Sequence, residues 1–375
     1  HKPWRKLNLE KKILRKKFKQ EKLLKSVERA KKLEEIAKTI EQKKHEVKPA
    51  VSTISIAVPS SILENAQSAE LRTYVAGQIA RAACIFQIDE IIVFDDIGIV
   101  DPRKYRKVEG ESGEEEMVRA SCLQLARILQ YLECPQYLRK FFFPLHKDLQ
   151  YSGLLNPLDA PHHLRQQSLF MYREGVVTDK KVKDDKGSYV NAGLFNDVLV
   201  DQPLKNGLRV TVRLNNVNTT AIKKKLKGIV VPPSEPRIET GIYWGYNVRI
   251  ARSLSQIFTK SPYKKGYDLT IGTSDKGSSI HEVENKSLSY NHALIVFGGL
   301  KGLEAPLEQD EKLKVNEPKL LFDHYLNVVP SQGSRTIRTE EALLISLAVF
   351  QEKLVPKVKC KEFDFREHIP QSEDT

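Results

Sequence analysis

GYDLTIGTSDKGSS (266–279), NHALIVFGGLKGLE (291–304) and FDHYLNVVPSQGSRTIRTEEALLISLAVF (322–350) repeat one pattern, a short apolar strand running into a loop rich in Gly, Ser or Thr. In an open α/β sheet ligands bind beyond the carboxyl ends of the strands, so three such ends in succession mark one pocket. Within FGGLKGLE, Gly298, Gly299 and Gly302 let backbone approach a ligand without a Cβ in the way. The loop lacks the Lys-Ser/Thr ending of a phosphate-binding P-loop and the GxGxxG spacing of a dinucleotide fingerprint, which argues against ATP and NAD. The third stretch predicts a loop and then a helix capped at Thr339, with Glu340 and Glu341 in its first turn. Main-chain donors and acceptors from loops of this kind suit an adenine and a ribose.

Upstream of these strands, GYNVRIARSLSQIF (245–258) reads as a helix. Near the start of the body, VSTISIAVPSS (51–61) reads as a strand entering a turn at Pro59. LRTYVAGQIARAACIFQ (71–87) has helical apolar spacing and runs into DEIIVFDD (89–96), a buried strand bounded by acids. Helix followed by strand implies an α/β class. VEGESGEEE (108–116) reads as a loop, and SCLQLARILQYLECPQYLRKFF (121–142) as a long helix stopped near Pro135. From Arg173 the texture changes to short β-rich runs separated by Gly, Asn and Asp turns, which predicts a small β-barrel or sandwich; its strand lengths and its place between two α/β stretches suggest an inserted OB-like barrel. Tyr189, Phe195, Arg209 and Arg213 are candidates for a strand-binding face on it, with core packing or solubility as the simpler role for each.

The expected organisation is a basic helical or disordered arm at 1–48, the first part of the main domain at 49–172, the barrel at 173–246, the cofactor-binding part at 247–355 and a polar tail at 356–375. The 375 residues carry a formal charge of +13. Residues 1–48 hold 18 Lys/Arg against 7 Asp/Glu, so nearly all the excess sits in the arm. An arm of that kind holds phosphate backbones or serves as a nuclear address; a solubilising helix is the plainer alternative. The four cysteines are scattered without a CxxC pair, arguing against a zinc ribbon or disulfide framework and for a reducing compartment. No apolar run approaches the roughly eighteen residues of a membrane span, and the first residues are too charged for a secretory signal. No metal site is expected.

Together IGTSDKG (271–277), VFGGLKGLE (296–304) and NVVPSQGSRTIRTEEA (327–342) resemble the three cofactor loops of the SPOUT (class IV) methyltransferases, which bind S-adenosylmethionine in a trefoil knot. The likeness extends to residues 71–96, 122–140 and 153–163. Over roughly residues 50–350 the chain is similar to the eukaryotic SPOUT-domain methyltransferase type associated with kinetochores and the mitotic spindle, and to its archaeal relatives. The resemblance implies a knotted α/β domain with an inserted OB-like barrel, and a homodimer with active sites at the subunit interface. It also implies S-adenosylmethionine as cofactor, ribosomal RNA as partner, and nuclear or nucleolar residence with kinetochore and spindle association and some cytoplasmic protein.

By position, the resemblance assigns Thr273, Ser274 and Lys276 to the first cofactor loop and Gly298, Gly299, Gly302 and Leu303 to the second. Asn327, Pro330, Gln332, Gly333, Ser334, Thr336 and Ile337 fall in the third. Lys276 stands where close relatives carry Arg, which weakens any contact needing a planar two-pronged donor. Arg81 matches the arginine that RNA-modifying members place near the acceptor, where a fixed cation lowers the pKa of a uridine imide or orients a phosphate. Its simpler role is a surface ion pair with an acid such as Asp89. Gly77, one turn earlier, is expected to permit close packing at the interface. Arg335 and Arg338 are placed to touch RNA, or to pair with Glu340 or Glu341. His162 and His163 invite a general-base reading, but adjacent side chains are expected to diverge. The resulting expectation is an RNA methyltransferase acting on a base of large-subunit ribosomal RNA, uridine N3 before ribose oxygen. The alternative from another class is a non-catalytic, cofactor-binding RNA or spindle scaffold.

Overall fold

The computed structural model describes residues 51–98, 101–109, 115–168, 170–180, 182, 187–215 and 226–361. The expected basic arm, and the tail beyond residue 361, lie outside them. In chain order come β1 (Thr53–Pro59), α1 (Ser61–Glu64), α2 (Ala69–Ile85), β2 (Glu90–Phe94), β3 (Tyr105–Glu109), β4 (Glu115–Arg119), α3 (Ala120–Glu133) and α4 (Gln136–Phe142). Five barrel strands follow: β5 (Tyr172–Val177), β6 (Ser188–Asn191), β7 (Val198–Val200), β8 (Arg209–Leu214) and β9 (Leu226–Val231). Then come α5 (Glu235–Thr240), β10 (Asn247–Ala251), α6 (Leu254–Thr259), β11 (Leu269–Ser279), β12 (Leu288–Tyr290) and β13 (His292–Phe297). The chain closes with α7 (Glu304–Gln309), β14 (His324–Asn327), α8 (Thr339–Lys353) and β15 (Leu354–Pro356).

Six parallel strands form the main sheet in the order β10-β2-β1-β13-β11-β14. Parallel strands need helices on both faces, and their side chains divide accordingly. Ile56, Val58, Ile91, Val93, Ile271, Ile295 and Phe297 pack with α2, α3 and the Leu343, Leu347 and Phe350 stripe of α8. Ala57, Ile92, Phe94, Leu294 and Val296 face the other way, against Leu254 and Ile257 of α6 and Leu303 and Leu307 around α7. The chain therefore crosses over the sheet's carboxyl ends between α7 and α8, and this crossing assembles the site described below.

Two readings of the sequence are corrected. GYNVRIARSLSQIF is a strand and then a short helix, because Val248 and Ile250 pair with β2 before Ser253 opens α6. VEGESGEEE is not wholly a loop, since β3 and β4 pair across it from Tyr105↔Arg119 to Glu109↔Glu115. The hairpin is held inside by Tyr105, whose hydroxyl donates to Asp95 at 2.5 Å, and by Val118.

The inserted strands close into a barrel in the order β5-β6-β7-β9-β8, around Val177, Val190, Val198, Val200, Val210 and Val212. A buried ionic network fixes it to the main domain. Arg209 of β8 donates to both carboxylate oxygens of Glu133, at the end of α3, at 2.7 and 2.9 Å, and to Glu174 of β5 at 2.9 Å. Glu174 also accepts from Thr211 (2.6 Å) and Trp244 (2.7 Å). Burial works against ionisation of Glu133, but hydrogen bonds from His162 and Arg209 outweigh it and hold its carboxyl down at about 2. Arg209 is thus a strut, and Arg213 pairs with Glu235 at 2.8 Å, so neither is a free cation for RNA. Phe195, by contrast, is 61% exposed.

Candidate active site

The three expected loops meet at the carboxyl ends of β13 and β14 and beside them on β11. The first is a bulge rather than a strand end: β11 pairs with β14 as far as Thr273, the register shifts, and pairing resumes at Ser278. The bulge pushes Ser274, Asp275 and Lys276 out of the ladder, where they are polar and mostly exposed. The second, Gly298–Leu303, is tightened by Gly302 N–H donating to Gly299 O at 2.9 Å. Gly302 has φ +69°, a left-handed conformation that favours glycine. The third runs from Asn327 to Arg338 and feeds α8.

Side chains join the loops pairwise. Asn327 Nδ2 donates to Asp275 O at 2.9 Å, linking third to first. Lys276 Nζ meets Glu304 at 2.6 Å, linking first to the helix that ends the second. Thr339 Oγ1 donates to Gly298 O at 3.2 Å, linking α8 to the second. Arg338, not Thr339, is the residue capping α8, and its N–H donates to Glu341 at 3.0 Å. Thr339 lies inside the first turn because its hydroxyl is taken by the neighbouring loop.

Leu303 is fully buried beneath the second loop, while Pro330, Gly333, Ser334, Arg335 and Thr336 are exposed and Gln332 and Ile337 half-buried. Gln332 Nε2 donates to Ser334 O at 3.0 Å and Ser334 Oγ to Thr336 O at 2.9 Å, so the third loop braces itself. A Cβ at Gly333 would meet nothing within 4 Å, leaving open space beside the loop. Main-chain amides and carbonyls, small hydroxyls, an apolar floor and adjoining space fit an adenosyl group. Neither Arg335 nor Arg338 makes a side-chain ion pair with Glu340 or Glu341 among the described residues; only the backbone N–H of Arg338 reaches Glu341.

A buried acid, Asp96, whose role the local sequence does not mark out stands behind this site. Asp96, at the end of the strand written DEIIVFDD, accepts from Ser61 N–H at 3.0 Å and Ser61 Oγ at 2.5 Å, and burial pushes its carboxyl pKa up. A Cβ on Gly299 would lie 2.6 Å from Asp96 Oδ2 and 2.9 Å from Ser61 Oγ. The β1 and β2 ends therefore buttress the second loop from behind. Paired acids closing an apolar strand were the available signal, but nothing local says that the partner lies 200 residues away. Asp95 supports the turn instead, accepting from Ile97 and Gly98 N–H.

Arg81 sits apart from the loops of its own chain. A cavity of about 300 Å³ is lined by Tyr74, Gln78 and Arg81 of α2, by Leu154 and Asn156, and by Glu340, Glu341 and Leu344 of α8. Arg81 Nη1 donates to Leu158 O at 2.6 Å and Pro157 O at 3.3 Å, which anchors the guanidinium. Its expected partner Asp89 is engaged with Arg237 and with Ile54 N–H. Gly77 packs within its own chain: a Cβ there would meet Leu155 at 2.9 Å. Gly77 also lines the Arg81 cavity, so this contact lets α2 approach Leu155 beside it. His162 and His163 converge rather than diverge, both Nε2 atoms reaching Glu133 O at 2.9 and 2.7 Å. Burial, with His162 beside it, pushes His163 down to about 3, so the pair is structural. Among the described residues no three His, Cys, Asp or Glu side chains gather to hold a metal, and no helix is long and apolar enough to cross a membrane.

The parallel sheet, the three tied loops and the inserted barrel define a methyltransferase of the SPOUT type. The chain belongs to the family described as "Putative RNA methyltransferase", which it matches over residues 53–350. It is 61% identical over 379 residues to a 28S rRNA (uridine-N(3))-methyltransferase of Drosophila melanogaster, spanning 100% of this chain and 78% of that protein. A protein of the same name from Homo sapiens is 53% identical over 328 residues, 88% of this chain and 85% of the relative. An uncharacterized archaeal protein of Halobacterium salinarum is 27% identical over 324 residues, 79% and 97% respectively.

Proposed function

We propose that this chain methylates N3 of a uridine in large-subunit ribosomal RNA, with S-adenosylmethionine as methyl donor. The observation that carries the reading is the assembly of three loops by Asn327, Lys276 and Thr339 into one main-chain-lined site, in a chain 61% identical to a 28S rRNA (uridine-N(3))-methyltransferase. Thr273, Ser274 and Lys276, the Gly298–Leu303 loop, and Asn327, Pro330, Gln332, Gly333, Ser334, Thr336 and Ile337 hold the cofactor. The bound cofactor supplies an electrophilic methyl group.

The protein's part is to orient the base, exclude water and favour loss of the N3 proton. Uracil N3–H is a weak acid, so attack needs its anion or a transition state close to it. Arg81, held by two carbonyls through Nη1, presents Nε and Nη2 without hydrogen-bond partners among the described residues. A fixed cation facing the imide oxygens stabilises the developing negative charge. The N3 proton leaves to bulk solvent at the mouth of the site as the base enters, before the methyl is transferred.

The working form is a homodimer. Leu71 (49% exposed), Tyr74 (46%) and Ile85 (52%) form one stripe on α2 at helical spacing, continued by Leu344 (46%) and Ile345 (38%) on α8. Packing this face on a second copy closes the Arg81 cavity, and Arg81 acts towards the partner's cofactor loops. Nuclear or nucleolar residence with kinetochore and spindle association belongs to the same proposal, supported by the basic stretch 1–48. Labelled methyl transfer to ribosomal RNA lacking its native modifications tests the activity. Absence of transfer from folded dimer, in an assay where an established RNA methyltransferase works, refutes it.

A further inference from the structure

We propose that the seam between α4 and the β6–β7 loop of the barrel is a stacking platform for a single-stranded segment of the RNA substrate, with Phe141, Phe195 and Lys140 as its contacts. The seam is built by Tyr137. Its ring lies flat against Gly193, where a Cβ would stand 2.6–2.8 Å from the ring atoms, and its hydroxyl donates to Glu174 O at 2.8 Å. Gly193 has φ +69°, so the turn that brings the loop onto the ring requires glycine twice over. Arg139 fixes the helix on its other side, donating to Cys134 O (3.1 Å) and Leu132 O (3.3 Å) and stacking over Tyr131 at 4.5 Å.

From this fixed point the rest follows by geometry. Phe141 is one helical turn beyond Tyr137 on the same side of α4, and Lys140 adjoins it. Phe195 is two residues beyond Gly193 in the loop. Two phenyl rings thus flank one seam, 55% and 61% exposed, although Leu138 and Phe142 of the same helix are packed inward. Large aromatics left in water beside a fixed contact offer stacking surfaces to single-stranded bases, since every base has a π face. The local charge favours a polyanion. Lys140 is exposed and makes no ion pair among the described residues, while the loop's acid, Asp197, is neutralised by Lys180 at 2.5 Å.

The platform lies off the Arg81 cavity and off the three cofactor loops, so it grips RNA flanking the target base. Its substrate class rests on the proposed function above. The test is fluorescence anisotropy with a labelled oligouridine single strand and a duplex of equal length, on the full chain. Phe141→Ala and Phe195→Ala each weaken single-strand binding about 5- to 150-fold, from the usual range for one stacked base. Phe141→Trp restores it. Lys140→Ala lowers the slope of log affinity against log salt by about 0.7, one phosphate contact on a single strand. Binding of S-adenosylhomocysteine, measured in parallel, stays at the wild-type value, which separates this effect from misfolding. Wild-type single-strand affinity in both Phe variants overturns the platform, as does a loss confined to the duplex. The two proposals fail separately: variants that bind RNA normally refute the platform even if wild type methylates, and a wild type that grips RNA through these residues without transferring methyl refutes only the reaction.

Discussion

Gly299→Ala tests the buttress behind the second loop. The added methyl would lie 2.6 Å from Asp96 Oδ2, 2.9 Å from Ser61 Oγ and 3.6 Å from Pro59 Cβ. Asp96 is only 6% exposed and holds two hydrogen bonds from Ser61, so it cannot swing aside without leaving a buried carboxylate under-satisfied. The loop must move instead, and overpacking of this kind costs about 1–3 kcal/mol. If half or more of that cost appears on closing the loop around a ligand, S-adenosylhomocysteine affinity falls about 2- to 150-fold. Isothermal titration calorimetry reads the affinity, and a thermal melt reads the part of the cost present without ligand. Gly333→Ala is the control for folding, because a Cβ there meets nothing within 4 Å, and its melt stays at the wild-type temperature. A Gly299→Ala protein with both wild-type affinity and wild-type melting would refute the buttress.

Three further outcomes follow from the same geometry. Arg209→Met leaves Glu133 and Glu174 without their shared cation and destabilises the barrel junction by about 2–4 kcal/mol, somewhat less than for a fully buried pair because Arg209 is a third exposed; denaturant unfolding measures it, and no change sinks the strut. His163 stays neutral down to about 3 when folded but takes up a proton near 6.5 when unfolded, so stability is complete above pH 6.5 and falls as pH drops towards 3. Between pH 6.5 and 5, His163→Gln flattens that fall by at most about 1.4 kcal/mol per pH unit, and an unchanged slope contradicts the assignment. Tyr74→Asp with Leu344→Asp places charge on both helices of the apolar face and yields monomer in sedimentation velocity; a double variant that sediments as wild type, with wild type dimeric, removes that face as the interface.

The α/β class was legible because β1, β2 and β13 are apolar runs bounded by polar residues, and because α2 carries helical spacing. The barrel was legible from its short strands and turns. What escaped was either mixed in period, as in Asn247–Thr259, where a strand and a helix share one apolar stretch, or polar and held by cross-strand pairing, as in the β3–β4 hairpin. At the site, glycine-rich loops announced themselves locally. Asp96 behind Gly299, the strut from Arg209 to Glu133, and the convergence of His162 and His163 depend on contacts across 203, 76 and about 30 residues, which no local pattern encodes. The bulge at 274–277 looked like a strand end because a bulge and a terminus use the same small, polar residues.

The proposed reaction is methylation of uridine N3 with Arg81 as the stabilising cation. Its most direct test is labelled methyl transfer to total RNA from cells depleted of the protein, followed by nucleoside mass spectrometry. Wild type yields N3-methyluridine, and Arg81→Ala yields about 100-fold less while dimerisation and S-adenosylhomocysteine binding stay intact. A different methylated nucleoside, or none from protein that binds S-adenosylhomocysteine, would contradict the account.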